Sequence, residues 1–151
     1  MNIRIATSND AAIISEFNSN LAWESEQKQL DPDLVLDGVR ALLADPAKGT
    51  YFVAEREGRI IGQLLITLEW SDWRNGMFWW IQSVYVAAEH RKQGIFRALY
   101  QHVHETVQSD PGVCGLRLYV EKDNHSARTT YERLGMHTTH YLIHELEFPR
   151  T

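Results

Sequence analysis

Three features of the sequence predict a mixed α/β fold built on a mostly antiparallel, twisted sheet. The stretch "TYFVAEREGRIIGQLLITLEW" holds two runs rich in β-branched and aromatic residues around Glu57-Gly58, the residue pair of a tight hairpin turn. "MFWWIQSVYV" follows after the polar turn "SDWRNG", which extends the hairpin to a meander. After Gly94 the apolar residues Ile95, Leu99, Val103 and Val107 fall four apart, and strand composition returns at "CGLRLYVE". That strand-helix-strand unit, from about 77 to 120, requires a parallel crossover inside the antiparallel sheet.

The remaining elements follow in chain order. Ile3 to Ala6 alternates as a short strand, and Thr7 to Asp10 supply cap-type residues before Ile13, Ile14, Phe17 and Leu21 at helical spacing. A second helix opens with Asp31 as its cap and Pro32 at its first position, and carries Leu34, Val35, Val39, Leu42 and Leu43 on one stripe. "MFWWIQSVYV" alternates so little that both its faces are expected to be covered. "NHSARTTYERLG" reads as a short helix from an Asn cap to a Gly stop, and "MHTTHYLIHELEF" as one or two closing strands. The expected sheet thus has six to seven strands, flanked by about four helices, in a single domain spanning 1–151.

With 20 acidic residues against 15 Lys and Arg, the formal net charge is −5. Such a surface repels nucleic acid and anionic membrane, so any phosphate binding has to be local. The N-terminus lacks the apolar core of a signal peptide, and no apolar run approaches the ~20 residues that span a bilayer. Cys114, the one cysteine, has no partner for an internal disulfide and is expected to be a small buried residue. A cytoplasmic location is the expectation.

Against that acidic background, "YVAAEHRKQGIFRAL" gathers Arg91, Lys92 and Arg97 around Gly94, where a strand gives way to a helix. A helix N-terminus presents about four unpaired amide N–H groups and the positive end of a dipole. Gly94 admits close approach of a ligand and the cations add charge, so a phosphate or diphosphate is the natural guest. Neither a Walker loop nor a three-glycine dinucleotide fingerprint is present. On the later short helix, Ala127 and Tyr131 lie four apart on one face behind Asn124 as its cap.

With these two segments the chain resembles the GNAT N-acetyltransferase superfamily. "VYVAAEHRKQGIF" is similar to the family's acetyl-CoA motif, and "NHSARTTYERLGM" to its Asn-x-x-Ala-x-x-x-Tyr helix followed by Leu-Gly. The order of elements over nearly the whole chain matches as well. The resemblance implies acetyl-CoA as cofactor. Backbone groups of Val84 and Val86 would then meet the acetyl and pantetheine moieties, and the segment Arg91, Lys92, Gln93, Gly94, Ile95, Phe96 and Arg97 would hold the diphosphate. Asn124 and Ala127 would contact the cofactor, and Tyr131 would protonate the departing thiolate. Phe96 stands where the family pattern has Gly or Ala, and is expected to turn into the sheet-helix interface.

An alkyl ammonium with a pKa near ~10 must lose a proton before it attacks, yet the family's usual base positions hold Trp80 and Gln82 here. Glu69 is the expected base, acting through a water, with Glu24 and Glu26 as alternatives. Trp23, Glu24, Glu26, Trp73, Trp80 and Gln82 are the expected substrate contacts, because acids and indole faces together favour a cation. No metal site is expected, since His102 and His104 point to different helix faces and His137, His140 and His144 alternate sides. The expected activity is transfer of acetyl to a primary amine of a small cationic molecule, in the manner of diamine acetyltransferases. A peptide or protein amine as acceptor, and a non-catalytic CoA-binding module, are the alternatives; a homodimer is a further expected partner state.

Overall fold

The computed structural model describes residues 1–150. The chain forms two compact units, Met1–Tyr119 and Val120–Thr151. The first holds a five-stranded sheet in the order β1-β2-β3-β4-β5, with β1 (Asn2–Ile5), β2 (Thr50–Arg56), β3 (Arg59–Ser71), β4 (Gly76–Val86) and β5 (Val113–Leu118). Neighbours from β1 to β4 pair antiparallel, and β4 pairs with β5 in parallel.

Turn chemistry sets the meander. Glu57 and Gly58 both take positive φ, 53° and 74°, as the primed two-residue hairpin turn demands. The parallel step from β4 to β5 cannot be made by a hairpin, and α3 (Ile95–Gln108) provides the crossover.

Helices cover both faces of the sheet. On one face α1 (Ala11–Glu26) and α2 (Pro32–Leu43) pack Ala11, Ile14 and Val39 onto Tyr51, Val53 and Leu65. Asp31 caps α2, its side chain accepting from the N–H groups of Asp33 and Leu34, with Pro32 behind it. On the other face Ile95, Leu99 and Val103 of α3 are buried. A Cβ on Gly62 would come within 2.9 Å of the Ile95 side chain, so the missing side chain lets α3 seat against β3. Each such aliphatic side chain removed from water contributes about 1.5–3 kcal/mol, which anchors α3 on the sheet from its first residue to Val103.

The second unit contains α4 (His125–Arg133), started by Asn124, whose Oδ1 accepts from Ala127 N–H at 3.1 Å. Gly135, at φ 94°, ends it, and Met136 N–H returns to the Tyr131 carbonyl.

Two expectations need correction. The sheet has five strands among the described residues, not six to seven, because 136–148 forms no strand. Tyr141, Leu142, Ile143, Leu146 and Phe148 are exposed there: an alternating apolar run becomes a strand only where a sheet edge takes up its N–H and C=O groups. Cys114 is exposed rather than buried, as befits a residue on the edge strand β5.

Candidate functional site

The site in the first unit starts from an interruption of β4. Leu65 is opposite Gln82 and Gln63 is opposite Tyr85, so Ser83 and Val84 together face one residue, Leu64: a β-bulge. Ser83 adopts φ 49°, left-handed for a residue with a Cβ. Beyond the bulge, Ala87 N–H donates to the Ile61 carbonyl, which places Tyr85 and Ala87 in the β3 ladder and turns the N–H groups of Val84 and Val86 the other way. On that other side the ladder with β5 ends at Ile81 and Leu118. The backbone of Val84 to Val86 is therefore an open edge inside the fold, able to pair with an extended amide-bearing chain.

At the end of that edge the chain enters a loop with Lys92 at φ 63° and Gly94 at φ 78°, and α3 begins at Ile95. A Cβ on Gly94 would meet nothing within 4 Å, so the glycine answers to its left-handed backbone and not to crowding. Gln93 braces the loop, accepting from Arg56 Nη1 at 2.9 Å and donating to the Glu89 carbonyl at 3.3 Å. Phe96 is half-buried with its ring 6.2 Å from that of Tyr100, while Ile95 and Leu99 fill the interface with the sheet. The first amides of α3 and the exposed cations Lys92 and Arg97 form an anion-attracting end.

Arg91 is already engaged. Its Nε donates to the Val86 carbonyl at 2.9 Å and its Nη2 to Glu24 Oε1 at 2.8 Å, with the guanidinium 5.2 Å from the Tyr85 ring centroid. The Tyr85 hydroxyl and Arg91 hold the Glu24 carboxyl below its ordinary value, whereas burial is the main cause that pushes the Tyr85 phenol up. Of the expected substrate residues, the end of α1 thus brings Glu24 to the open edge, with exposed Trp23 and Glu26 beside it in sequence.

Glu69 lies elsewhere on the sheet. It sits opposite Phe78, six residues before Val84, or ~20 Å along β4 at ~3.3 Å per residue. Its carboxylate accepts from Trp80 Nε1 at 2.7 Å and Arg117 Nη1 at 3.1 Å. Arg117 also covers the Phe78 ring at 3.7 Å, and Trp80 packs on Tyr119 at 4.5 Å. Gln82 donates to Thr67 Oγ1. Trp80 and Gln82 therefore lead from this polar and aromatic surface to the bulge, but Trp73, in the turn after β3, stands at the far end of β4. Near that end a groove of about 330 Å³ is lined by Trp70, Trp79, Met77, Leu68 and Val113.

In the second unit, Tyr131 sits four residues after Ala127 on α4, and burial pushes its phenol above its ordinary value. A phenol so shifted is protonated at neutral pH and able to donate.

The model of the acetyltransferase (GNAT) family matches residues 14–136. The chain belongs to the GNAT acetyltransferase family. The crystal structure of a possible acetyltransferase from Clostridium difficile 630 is 46% identical and superposes with a TM-score of 0.94, covering 99% of this chain and 98% of that one. Two others share the fold at lower identity. A ribosomal-protein-alanine N-acetyltransferase from Brucella melitensis biovar Abortus 2308 is 17% identical, with a TM-score of 0.77 over 98% of this chain and 99% of that one. An aminoglycoside acetyltransferase from an uncultured soil metagenomic sample is 16% identical, with a TM-score of 0.70 over 99% and 98%. No curated protein matches the chain.

For a GNAT chain, the donor set in the first unit fits acetyl-CoA. The open N–H groups of Val84 and Val86, beside a Val86 carbonyl that Arg91 already holds, suit the amides of pantetheine, and the α3 N-terminus with Lys92 and Arg97 suits a diphosphate. Reading the sequence missed Ser83, Gln63 and Arg117. Gln63 carried a signal, as the one polar residue of "IIGQLLI", a strand interior otherwise apolar or glycine. Ser83 carried none, because no Gly marks its left-handed backbone.

Proposed function

We propose that this chain transfers the acetyl group of acetyl-CoA directly to a primary amine. The observation that carries the reading is the parting of β4 from β5 after Ile81 and Leu118, with the bulge at Ser83 and the N-terminus of α3 at its two ends. Bound acetyl-CoA supplies an acetyl thioester. Val84 N–H is read as the donor to the acetyl carbonyl, and Val86 as the backbone partner of pantetheine. The backbone amides from Arg91 to Arg97, with the Arg91, Lys92 and Arg97 side chains, hold the diphosphate. Asn124 and Ala127 contact the cofactor from α4, and Tyr131 gives its proton to the departing sulfur, a role that its protonated state supports.

The acceptor is read as a small cationic amine. Glu24 and Glu26 with Trp23, and Trp80 with Gln82, offer the acidic and aromatic surface that such a cation favours. Glu69 is committed to Trp80 and Arg117, so the acceptor enters as the free amine or gives its proton to solvent. The rate should then rise with pH through the pKa of the acceptor itself.

Release of CoA thiol from acetyl-CoA, measured across polyamines, aminoglycosides, amino acids and peptide N-termini, tests the reading. Turnover confined to peptides would move the acceptor to a protein amine. Thermal stabilisation by CoA without turnover for any amine would leave a binding module, a reading that the absence of a free carboxylate on β4 favours.

A further inference from the structure

Gln63 is fully buried on β3, on the sheet face covered by α1 and α2. Its Nε2 donates to two acceptors, Asn18 Oδ1 at 2.8 Å and the Ser83 carbonyl at 3.0 Å. A backbone carbonyl can only accept, which fixes the amide with its nitrogen toward Ser83. Asn18 in turn donates to the Tyr51 hydroxyl at 3.0 Å, and Tyr51 shares a hydrogen bond with the Ser83 side chain. Asn18 of α1, Tyr51 of β2, Gln63 of β3 and Ser83 of β4 thereby close a ring of polar groups in an otherwise apolar layer. Gln63 Oε1 is left without a partner among the described residues. A ring that leaves a buried acceptor unmet is poorly suited to mere stabilisation, since an apolar side chain of similar shape would avoid that cost.

What the ring does hold is one peptide. Ser83 stays in the left-handed region at φ 49°, which a residue with a Cβ adopts only under constraint. The Ser83–Val84 peptide is trans and planar, so a carbonyl drawn to Gln63 sends the Val84 N–H the opposite way, out of the β3 ladder.

We propose that Gln63 is a positioning residue that, through the Ser83 carbonyl, aims the Val84 N–H at the acetyl group. This rests on the acetyl-transfer reading above. Gln63 touches neither partner of the reaction, and acts by denying the bulge peptide its other orientation.

Two substitutions and two kinds of readout decide it. In Gln63→Leu the donor is lost at nearly constant volume. The Ser83 Cα and Cβ chemical shifts should leave left-handed values, and the Val84 amide should change its shift and its hydrogen-exchange rate. With acetyl-CoA and the best acceptor, kcat should fall about 10- to 100-fold while the Kd for CoA stays within about threefold, the signature of a lost donor to developing charge. Gln63→Glu adds a test that packing alone would not pass. Burial raises the introduced carboxyl group's pKa, and only its protonated form can donate to the Ser83 carbonyl. Its kcat relative to the native chain should therefore recover as pH falls, opposite to the amine-limited trend. Unchanged Ser83 and Val84 signals in Gln63→Leu would overturn the proposal, as would unchanged kcat. If the native chain transfers acetyl to no amine, the acetyl-transfer reading fails, and the Ser83 and Val84 signals still decide whether Gln63 holds the bulge.

Discussion

Glu24 Oε1 stands 2.8 Å from Arg91 Nη2, tying the end of α1 to the loop that precedes α3. The same guanidinium takes the Val86 carbonyl, so one side chain bridges the end of α1 and the last residue of β4. These contacts use Nε and Nη2, and the Glu24 carboxylate offsets the positive charge that Arg91 offers a diphosphate. The pair is partly exposed, 43% and 40%, and such pairs contribute at most about 1 kcal/mol. Glu24→Gln should therefore tighten CoA binding up to about fivefold, and Arg91→Ala should weaken it about tenfold. Isothermal calorimetry with CoA at low and high salt checks both, and a tighter Arg91→Ala variant would remove Arg91 from the cofactor site.

Tyr131 tests the second unit. With its phenol raised by burial, it keeps its proton through neutral pH and loses it only above the ordinary tyrosine range. Tyr131→Phe should lower kcat about 100-fold or more and leave the Kd for CoA within a few-fold, because the hydroxyl is called on as the sulfur departs. Equal turnover by the native chain and the variant would take the proton-donor role away from Tyr131.

How far the sequence reached depends on whether the deciding interaction is local. The Asp31-Pro32 helix start, the Glu57-Gly58 hairpin and the Asn124 cap are each set within a few residues, and each forms as expected. The run 136–148 shows the same logic failing: its alternation says that it can be a strand, not that an edge is there to receive it. The surroundings of Glu69 were hidden for another reason. Its neighbours Trp80 and Arg117 are 11 and 48 residues away, brought close by register across three strands, and nothing near Glu69 in the sequence announces them. Trp73 looked like Trp80 in composition, and only strand length separates them. The bulge at Ser83 was invisible for want of a glycine, although the glutamine that holds it was in plain view.

Gly94 offers a test of the loop. Its φ of 78° costs an L residue about 1–2 kcal/mol, and no neighbour would clash with a side chain. Gly94→Ala should lower the melting temperature by about 2–8 °C and weaken CoA binding if the backbone relaxes away from its left-handed form. Gly94→Asn, with a residue that tolerates this region, should lose less of both. Equal binding by all three chains would show that the loop backbone does not shape the diphosphate site.

Asp10 anchors the turn that leads into α1. Its carboxylate accepts from Arg4 Nη1 at 2.8 Å and Nη2 at 3.1 Å, and from Thr7 N–H at 2.7 Å, while Arg4 reaches on to Glu55 at 2.7 Å. The Arg4 hydrogen bonds are the main cause that holds the carboxyl below its ordinary 3.8, with Thr7 N–H assisting and burial opposing. A depressed folded pKa adds stability above the unfolded value and loses it as pH falls through the folded one. Asp10→Asn should therefore cost about 2 kcal/mol at neutral pH, from the broken ion pair and the weakened bond from Thr7 N–H, or about 4–8 °C in melting temperature. The gap between native and variant should hold from neutral pH down to about pH 4, then close as Asp10 takes up its proton. Melting curves between pH 2.5 and 7 check this. A gap that stayed constant to the lowest pH would mean that the charge of Asp10 is not what secures the turn between Arg4 and α1.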